Sequence, residues 1–307
     1  AGLGATNSLR GDTTEVVLGE AMKPFLSFGW QPQVIAVSGA RKAILTGSLE
    51  LYDLGSDPGE TRDLSRESTL PPDVRALAED YPLPSPEAAR APDALTVEER
   101  ARLASLGYVN AGSAPVVRRG APRPVDMAHL FDVVERASGL FVGARYAEVI
   151  PLLQQILKDD PYNLDAVLRL ATAHSSLGQS AQAEAAFRRA AAFAPRSLDV
   201  PAYLGLHYAR GADWERAVPL FERVLAGAPE RVPVLEALAV IRVRQRRMNE
   251  AADLLIRVYA LRSPSPAESV ALGQLAMRAG RTPLAIESFE RARSAEGPAF
   301  RGDLDLG

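Results

Sequence analysis

The chain has 307 residues and a mass of 32.9 kDa, 47% of it hydrophobic and 24% charged, too long for one ordinary core and suited to about two domains of ~100–200 residues. It has no cysteine, which excludes a disulfide framework, a thiolate metal site and a cysteine nucleophile. With 35 basic and 38 acidic side chains the net charge is −3, which argues against a polyanion binder. The longest apolar runs, such as 232–243, fall short of the ~20 residues that span a bilayer. Residues 1–129 hold 13 basic and 17 acidic groups, and 130–307 hold 22 and 21, so neither half is a charged tail. The chain opens on Ala1 with no signal-like segment, and is expected to be a processed or truncated piece of a longer polypeptide.

In chain order, 34–37 and 42–45 are short apolar or β-branched runs separated by Ser38, Gly39 and Ala40, which predicts a hairpin. Residues 49–54 supply a third strand and 15–18 a fourth. Asp57, Pro58, Gly59 and Glu60 have turn composition. Asp53, Asp57, Glu60 and Asp63 do not have the spacing of a calcium loop, so a structural turn is expected there. The run 97–106 (VEERARLASL) has the pattern of an amphipathic helix able to cover such a sheet. Residues 65–96 are rich in Pro, Glu and Asp and read as an extended connector, and 110–126 as a linker.

The string ELYDLGSDPGETRDL at 50–64 resembles the motif that closes sulfatase-type hydrolases of the alkaline phosphatase-like superfamily. Phe28-Gly29-Trp30 before a strand, Arg41-Lys42 in the next, and RLASLGYV at 102–109 resemble the same region. The resemblance implies a C-terminal subdomain over 1–109, detached from the chemistry of that family. Those enzymes use a formylglycine within a C/S-x-P-S-R motif and a divalent cation held by Asp, Asn and His, and this chain has no such motif. No catalytic, cofactor or metal residue is therefore expected in it, Lys42 and Glu20 included. The parent enzyme would use a divalent cation such as calcium, and a bacterial parent would be exported or periplasmic.

From Leu130 onward the sequence repeats. Segments starting at Leu130, Leu164, Leu198, Val232 and Pro266 follow one another at intervals of 34 residues without a gap. They are termed repeats 1–5. Position 20 is Val149, Ala183, Ala217, Ala251 or Ala285; position 24 is Leu153, Phe187, Phe221, Leu255 or Phe289. Pro161, Pro195 and Pro229 close three repeats, where a missing donor ends a helix. Each repeat reads as two helices, A and B, joined by a turn at Gly178, Gly211 or Gly280. The small residue lets B approach A, and the larger one, four residues on, fills the space. One pair cannot bury its own apolar face, so five must stack.

This pattern resembles the tetratricopeptide repeat. The fold class expected is α+β: a small antiparallel sheet subdomain, then an all-α solenoid of about five hairpins over 127–299, with 300–307 as a tail. The resemblance implies a groove lined by helix A that takes a protein or peptide partner. Its lining would be Asp165, Leu168, Thr172, Ser175 and Ser176, then Asp199, Ala202, Leu206, Ala209 and Arg210, then Pro233, Glu236, Val240, Val243 and Arg244. The Lys/Asn clamp some members use for acidic chaperone tails has no counterpart. Arg242, Arg244, Arg246 and Arg247 read as a solvated helix end facing its dipole, and no nucleic-acid partner is expected. His174, His207 and Trp214 read as packing residues. The function expected is a non-catalytic interaction scaffold attached to the C-terminal portion of a sulfatase-like protein. The alternative is the rear fragment of a metal-dependent ester hydrolase.

Overall fold

A computed structural model describes residues 16–21, 23–67 and 120–296. The expected helix at 97–106 and most of the connector lie outside them. The described residues form two compact bodies, 16–67 with 120–166, and 167–296.

The first body opens with β1 (Val17–Ala21) and a short helix α1 (Lys23–Phe28), followed by β2 (Gln33–Ser38), β3 (Arg41–Thr46) and β4 (Ser48–Asp53). The strands lie in chain order, each antiparallel to the next. The first strand sits two residues later than the 15–18 read from sequence. Alternation puts Val34 and Ala36 of β2 inward, Ala36 in register with Ala43 of β3 and Leu51 of β4. Gly39, at φ +56°, makes the tight β2–β3 turn. Gly47, at φ +68°, makes the β3–β4 turn, where a Cβ would overlap the Gln31 carboxamide.

Beyond β4 the acidic stretch is consumed by its own loop. Asp57 accepts the Thr61 and Arg62 backbone N–H groups at 2.8 and 2.9 Å, and these bonds, Arg62's first, hold its carboxyl below the usual range. Asp63 accepts the N–H groups of Leu51 and Ser65 at 3.0 and 2.8 Å, tying the loop back to β4. Lys42 on β3 pairs with Glu60 at 2.6 Å. Stretch 54–64 is thus a closed structural turn following β4.

The chain then returns at 120. Gln31 donates its backbone N–H to the Pro122 carbonyl at 3.0 Å and its side-chain amide to that of Ala121 at 2.7 Å. Arg123 bridges Glu50 and Asp126, both at 2.8 Å. A 3₁₀ turn (Pro124–Leu130) leads into α2 (Phe131–Val142) and α3 (Tyr146–Asp159), the first repeat. Trp30, fully buried, joins this hairpin to the sheet. Its ring packs with Met127, Leu130, Phe28 and Val134, and its Nε1 donates to the buried Asp160 carboxylate at 2.7 Å. Asn163 donates to the same oxygen at 3.2 Å.

The remaining helices are α4 (Leu164–Ser176), α5 (Ser180–Phe193), α6 (Asp199–Arg210), α7 (Trp214–Gly227), α8 (Val232–Arg244), α9 (Met248–Leu261), α10 (Pro266–Arg278) and α11 (Thr282–Glu296). Even-numbered helices from α2 on are helix A, odd-numbered ones helix B. Position 20 is buried in all five repeats, as is position 27, filled by Ile156, Ala190, Val224, Val258 and Ala292. In the second body α6 packs on α7, α8 on α9 and α10 on α11, while α7 meets α8 and α9 meets α10. One cluster, including Phe221, Val224, Leu235, Leu238 and Val258, therefore runs from repeat 3 into repeat 4.

The turn between A and B differs from the sequence expectation in one respect. Gly211 has φ −79°, and the left-handed residue is the next one, Ala212 at +58°. It belongs to a series spaced at the repeat interval: Ala144, Gly178, Ala212, Arg246 and Gly280, all with φ between +54° and +74°. The following N–H in each case bonds back five residues, to Leu140, His174, Tyr208, Arg242 or Ala276, at 2.8–2.9 Å. This is a Schellman closure of helix A. It needs the conformation rather than the glycine, and so glycine content alone misplaced one turn.

Gly205 on α6 faces Phe221 on α7, where an added Cβ would stand 2.6 Å from the ring edge. Gly139 on α2 has open space instead. Alanine gains about 1 kcal/mol in helix propensity at either site, while overpacking a fixed ring costs about 1–3 kcal/mol. Urea unfolding should therefore show Gly139→Ala more stable than the parent and Gly205→Ala less stable. In the same assay Trp30→Phe, which strips a donor from a buried carboxylate, should lose about 3 kcal/mol.

Candidate functional site

Helix A buries one side in each repeat of the second body. On α8 the inward residues are Val234, Leu235, Leu238, Ala239, Ile241 and Arg242. The opposite face carries Glu236, Val240, Val243 and Arg244, with Val240 59% exposed and Arg244 exposed. On α10 the inward set is Ser269, Leu272, Gly273, Leu275 and Ala276, leaving Gln274, Met277 and Arg278 outward. On α6, Leu206 and Ala209 are half-buried and Arg210 is exposed.

Of the residues singled out from sequence, Asp165, Thr172 and Ser176 are half-buried, and the Thr172 hydroxyl donates to the Leu168 carbonyl at 2.8 Å. Leu168, Ser175, Asp199 and Ala202 are buried. Asp199 forms an ion pair with Arg231. Ser175 lies 2.7 Å from His207 Nδ1 and also accepts from Arg210. Burial lowers the His207 pKa, favouring the neutral imidazole. His174 contacts Gln179 at 2.5 Å, and Trp214 packs at the margin of the repeat 3–4 core.

The arginines have varied fates. Arg242 is only 8% exposed and reaches Glu222 at 3.3 Å and Glu250 at 3.2 Å. It is a buried ion-pair centre, not the solvated cation its position in an Arg-rich helix end implied, because α7 and α9 both place carboxylates over it. Arg247 pairs with Glu250 at 2.6 Å, while Arg244 and Arg246 are exposed. A second arginine series went unread in the sequence. Arg223 donates to the Pro195 carbonyl at 3.4 Å, and Arg257, 34 residues later, to that of Pro229 at 2.6 Å. Each ties helix B to the proline turn that closes the preceding repeat. The 34-residue recurrence of arginine at 189, 223, 257 and 291 was the signal available for it.

Repeat 5 begins with a capping box. Ser265 and Glu268 exchange side-chain-to-backbone bonds at 3.2 and 2.8 Å. Arg262 joins Glu268 at 2.6 Å and Glu236 at 2.7 Å, linking repeats 4 and 5. The Arg262 guanidinium, with the Ser265 N–H, holds the Glu268 pKa down to about 2.

Among the described residues, no group of three or more His, Cys, Asp or Glu side chains is placed to hold a metal ion, and no helix is long and apolar enough to cross a membrane. What the array does present is a row of outward helix A faces at one interval.

Residues 144–207 and 204–266 match family models described as tetratricopeptide repeat. These residues are tetratricopeptide repeats. No curated protein matches the chain. Among solved structures it is similar to MamA from AMB-1, with 24% identity and a TM-score of 0.43 over 57% of this chain and 95% of that one. It is also similar to PilF of Pseudomonas aeruginosa, with 17% identity and a TM-score of 0.48 over 55% and 78%.

The Glu268 pKa lies below the usual glutamate value of 4.5. Its contribution to stability is therefore complete above about pH 4.5 and lost as the pH falls through about 2. Thermal unfolding followed by circular dichroism should show Glu268→Gln less stable than the parent at pH 6. The difference should shrink steadily between pH 4.5 and pH 2.

Proposed function

We propose that this chain is a non-catalytic interaction scaffold. Its tetratricopeptide repeats dock a protein or peptide partner along the helix A faces, and its sheet is the C-terminal subdomain of a sulfatase-like protein. The observation that carries the first part is the regular outward face of α6, α8 and α10, with Val240 and Met277 left 59% and 52% exposed. Apolar side chains recurring on an otherwise mixed surface favour partner contact. Leu206, Ala209, Arg210, Val243 and Arg244 complete the docking surface in repeats 3 and 4, with Asp165, Thr172 and Ser176 extending it into repeat 2.

Support for the second part is the order of the FGW, RK, ELYDL and LGYV strings along 28–109. The same strings favour the alternative, in which the chain is the rear of a divalent-cation-dependent ester hydrolase whose catalytic domain lies upstream. On that reading calcium would belong to the upstream domain, and the protein would be exported or periplasmic. The buried Trp30–Asp160 bond would then attach the first repeat firmly to the hydrolase tail.

A photoreactive phenylalanine analogue placed at Val240 should crosslink a polypeptide from extracts of the source cells. The same probe at Ile286, 54% exposed on helix B of repeat 5, should not. Equal labelling from both sites, or none from either, counts against docking on helix A. The purified chain should show no sulfatase or phosphatase turnover with added calcium or magnesium. Turnover abolished by a chelator would refute the non-catalytic assignment.

A further inference from the structure

The last residue of helix A is arginine in three successive repeats: Arg210, Arg244 and Arg278. They are spaced at the repeat interval and all exposed. No carboxylate among the described residues pairs with any of them. By contrast Arg216, Arg231, Arg242, Arg247, Arg262 and Arg281 are each engaged with an acid. The acids of these helices sit at the opposite, N-terminal ends and are already spent. Asp199 is paired with Arg231, and Glu236 and Glu268 with Arg262. A nearly neutral array thus has a helix A surface that is basic along one edge only.

Beside that edge runs an aliphatic stripe. The residue four before each arginine shares its helix face, and in repeats 3 and 4 it is Leu206 and Val240. The residue immediately before is Ala209, Val243 or Met277. Helices α6 and α8 touch, and packed helices lie about 8–10 Å apart, so cation and aliphatic side chain recur together at about that spacing. Attraction to the helix dipole accounts for a cation at each C-terminus. Leu206, Ala209 and Val243 are half-buried against the core of the array, but neither that packing nor the dipole accounts for Val240 and Met277, left 59% and 52% exposed beside the arginines.

Resting on the docking surface proposed above, we propose that repeats 3–5 recognise an acidic amphipathic segment of a partner protein. Its aliphatic side chains lie along Leu206, Val240, Val243 and Met277, and its carboxylates reach Arg210, Arg244 and Arg278. Nucleic acid is disfavoured because the stripe offers no aromatic faces for base stacking.

The test uses the full chain and fluorescence anisotropy. The probe is a labelled peptide of about 20 residues with leucine at i, i+3 and i+4 spacing and glutamate elsewhere. It should bind, and more weakly as NaCl rises from about 0.05 to 0.5 M. Peptides with lysine in place of glutamate, or serine in place of leucine, should not bind. Combined Arg210→Gln, Arg244→Gln and Arg278→Gln should weaken binding by roughly tenfold or more, as should Val240→Ser. Arg196→Gln, at another exposed arginine, should leave it unchanged. Circular dichroism of each variant shows that it is folded. The proposal is overturned by equal binding of the lysine peptide, by indifference to the triple substitution, or by arginine-dependent binding of a single-stranded oligonucleotide instead. A concentration-dependent dimer that buries Val240 would overturn it as well. If a polypeptide crosslinks at Val240 while the acidic peptide fails to bind, only the partner chemistry is wrong. If nothing crosslinks there either, the docking surface itself falls.

Discussion

The array depends on how closely helix B can lie against helix A. That distance is set by a pair of positions in each repeat. The eighth residue is Ala171, Gly205, Ala239 or Gly273, and the twenty-fourth, across from it, is Phe187, Phe221, Leu255 or Phe289. In repeats 3 and 5 the ring lies so near the glycine that a methyl group would stand 2.6–2.7 Å from it. Glycine meets phenylalanine in repeats 3 and 5, where the ring occupies the space a methyl group would need, while repeat 4 has alanine and leucine and repeat 2 alanine and phenylalanine at the same positions.

Charge is organised by the same interval. Some arginines fasten repeats together, through carbonyls in the case of Arg223 and Arg257 and through carboxylates in the case of Arg242 and Arg262. Arg262 is the clearest example, drawing together Glu236 of repeat 4 and the capping Glu268 of repeat 5. Others at the ends of helix A hold no acid. A chain with nearly equal numbers of acids and bases thus uses its arginines in two ways: some are held by acids at seams between repeats, and a subset goes outward to one edge. Net charge describes neither arrangement.

Much of the helical half was legible because its register is redundant. Five copies of one spacing fix which residues turn inward, and the buried positions at 149, 183, 217, 251 and 285 follow directly. The sheet was legible from short apolar or β-branched runs and turn composition, with β1 placed two residues early. What sequence could not supply were outcomes decided by neighbours distant along the chain. Arg242 and Arg244 sit on one helix and look alike, yet only Arg242 lies beneath carboxylates from two other helices. Asp199 and Ser175 occupy positions expected to face a groove, and each is drawn inward by a side chain more than thirty residues away. The left-handed turn at Ala212 was hidden for a different reason. Glycine stands one place too early, and only comparison with Gly178 and Gly280 shows which position bends.

Trp30 is the residue whose role was furthest from view. Its indole fills the flank of the first hairpin and its N–H satisfies an aspartate with almost no access to water. Helical arrays ordinarily finish in a polar surface, because the outermost pair has no neighbour to shield it. In this protein Phe28 and Trp30, just ahead of β2, provide that shielding for repeat 1. Removing that hairpin would uncover the Trp30 indole, a penalty that no change among the later repeats brings with it.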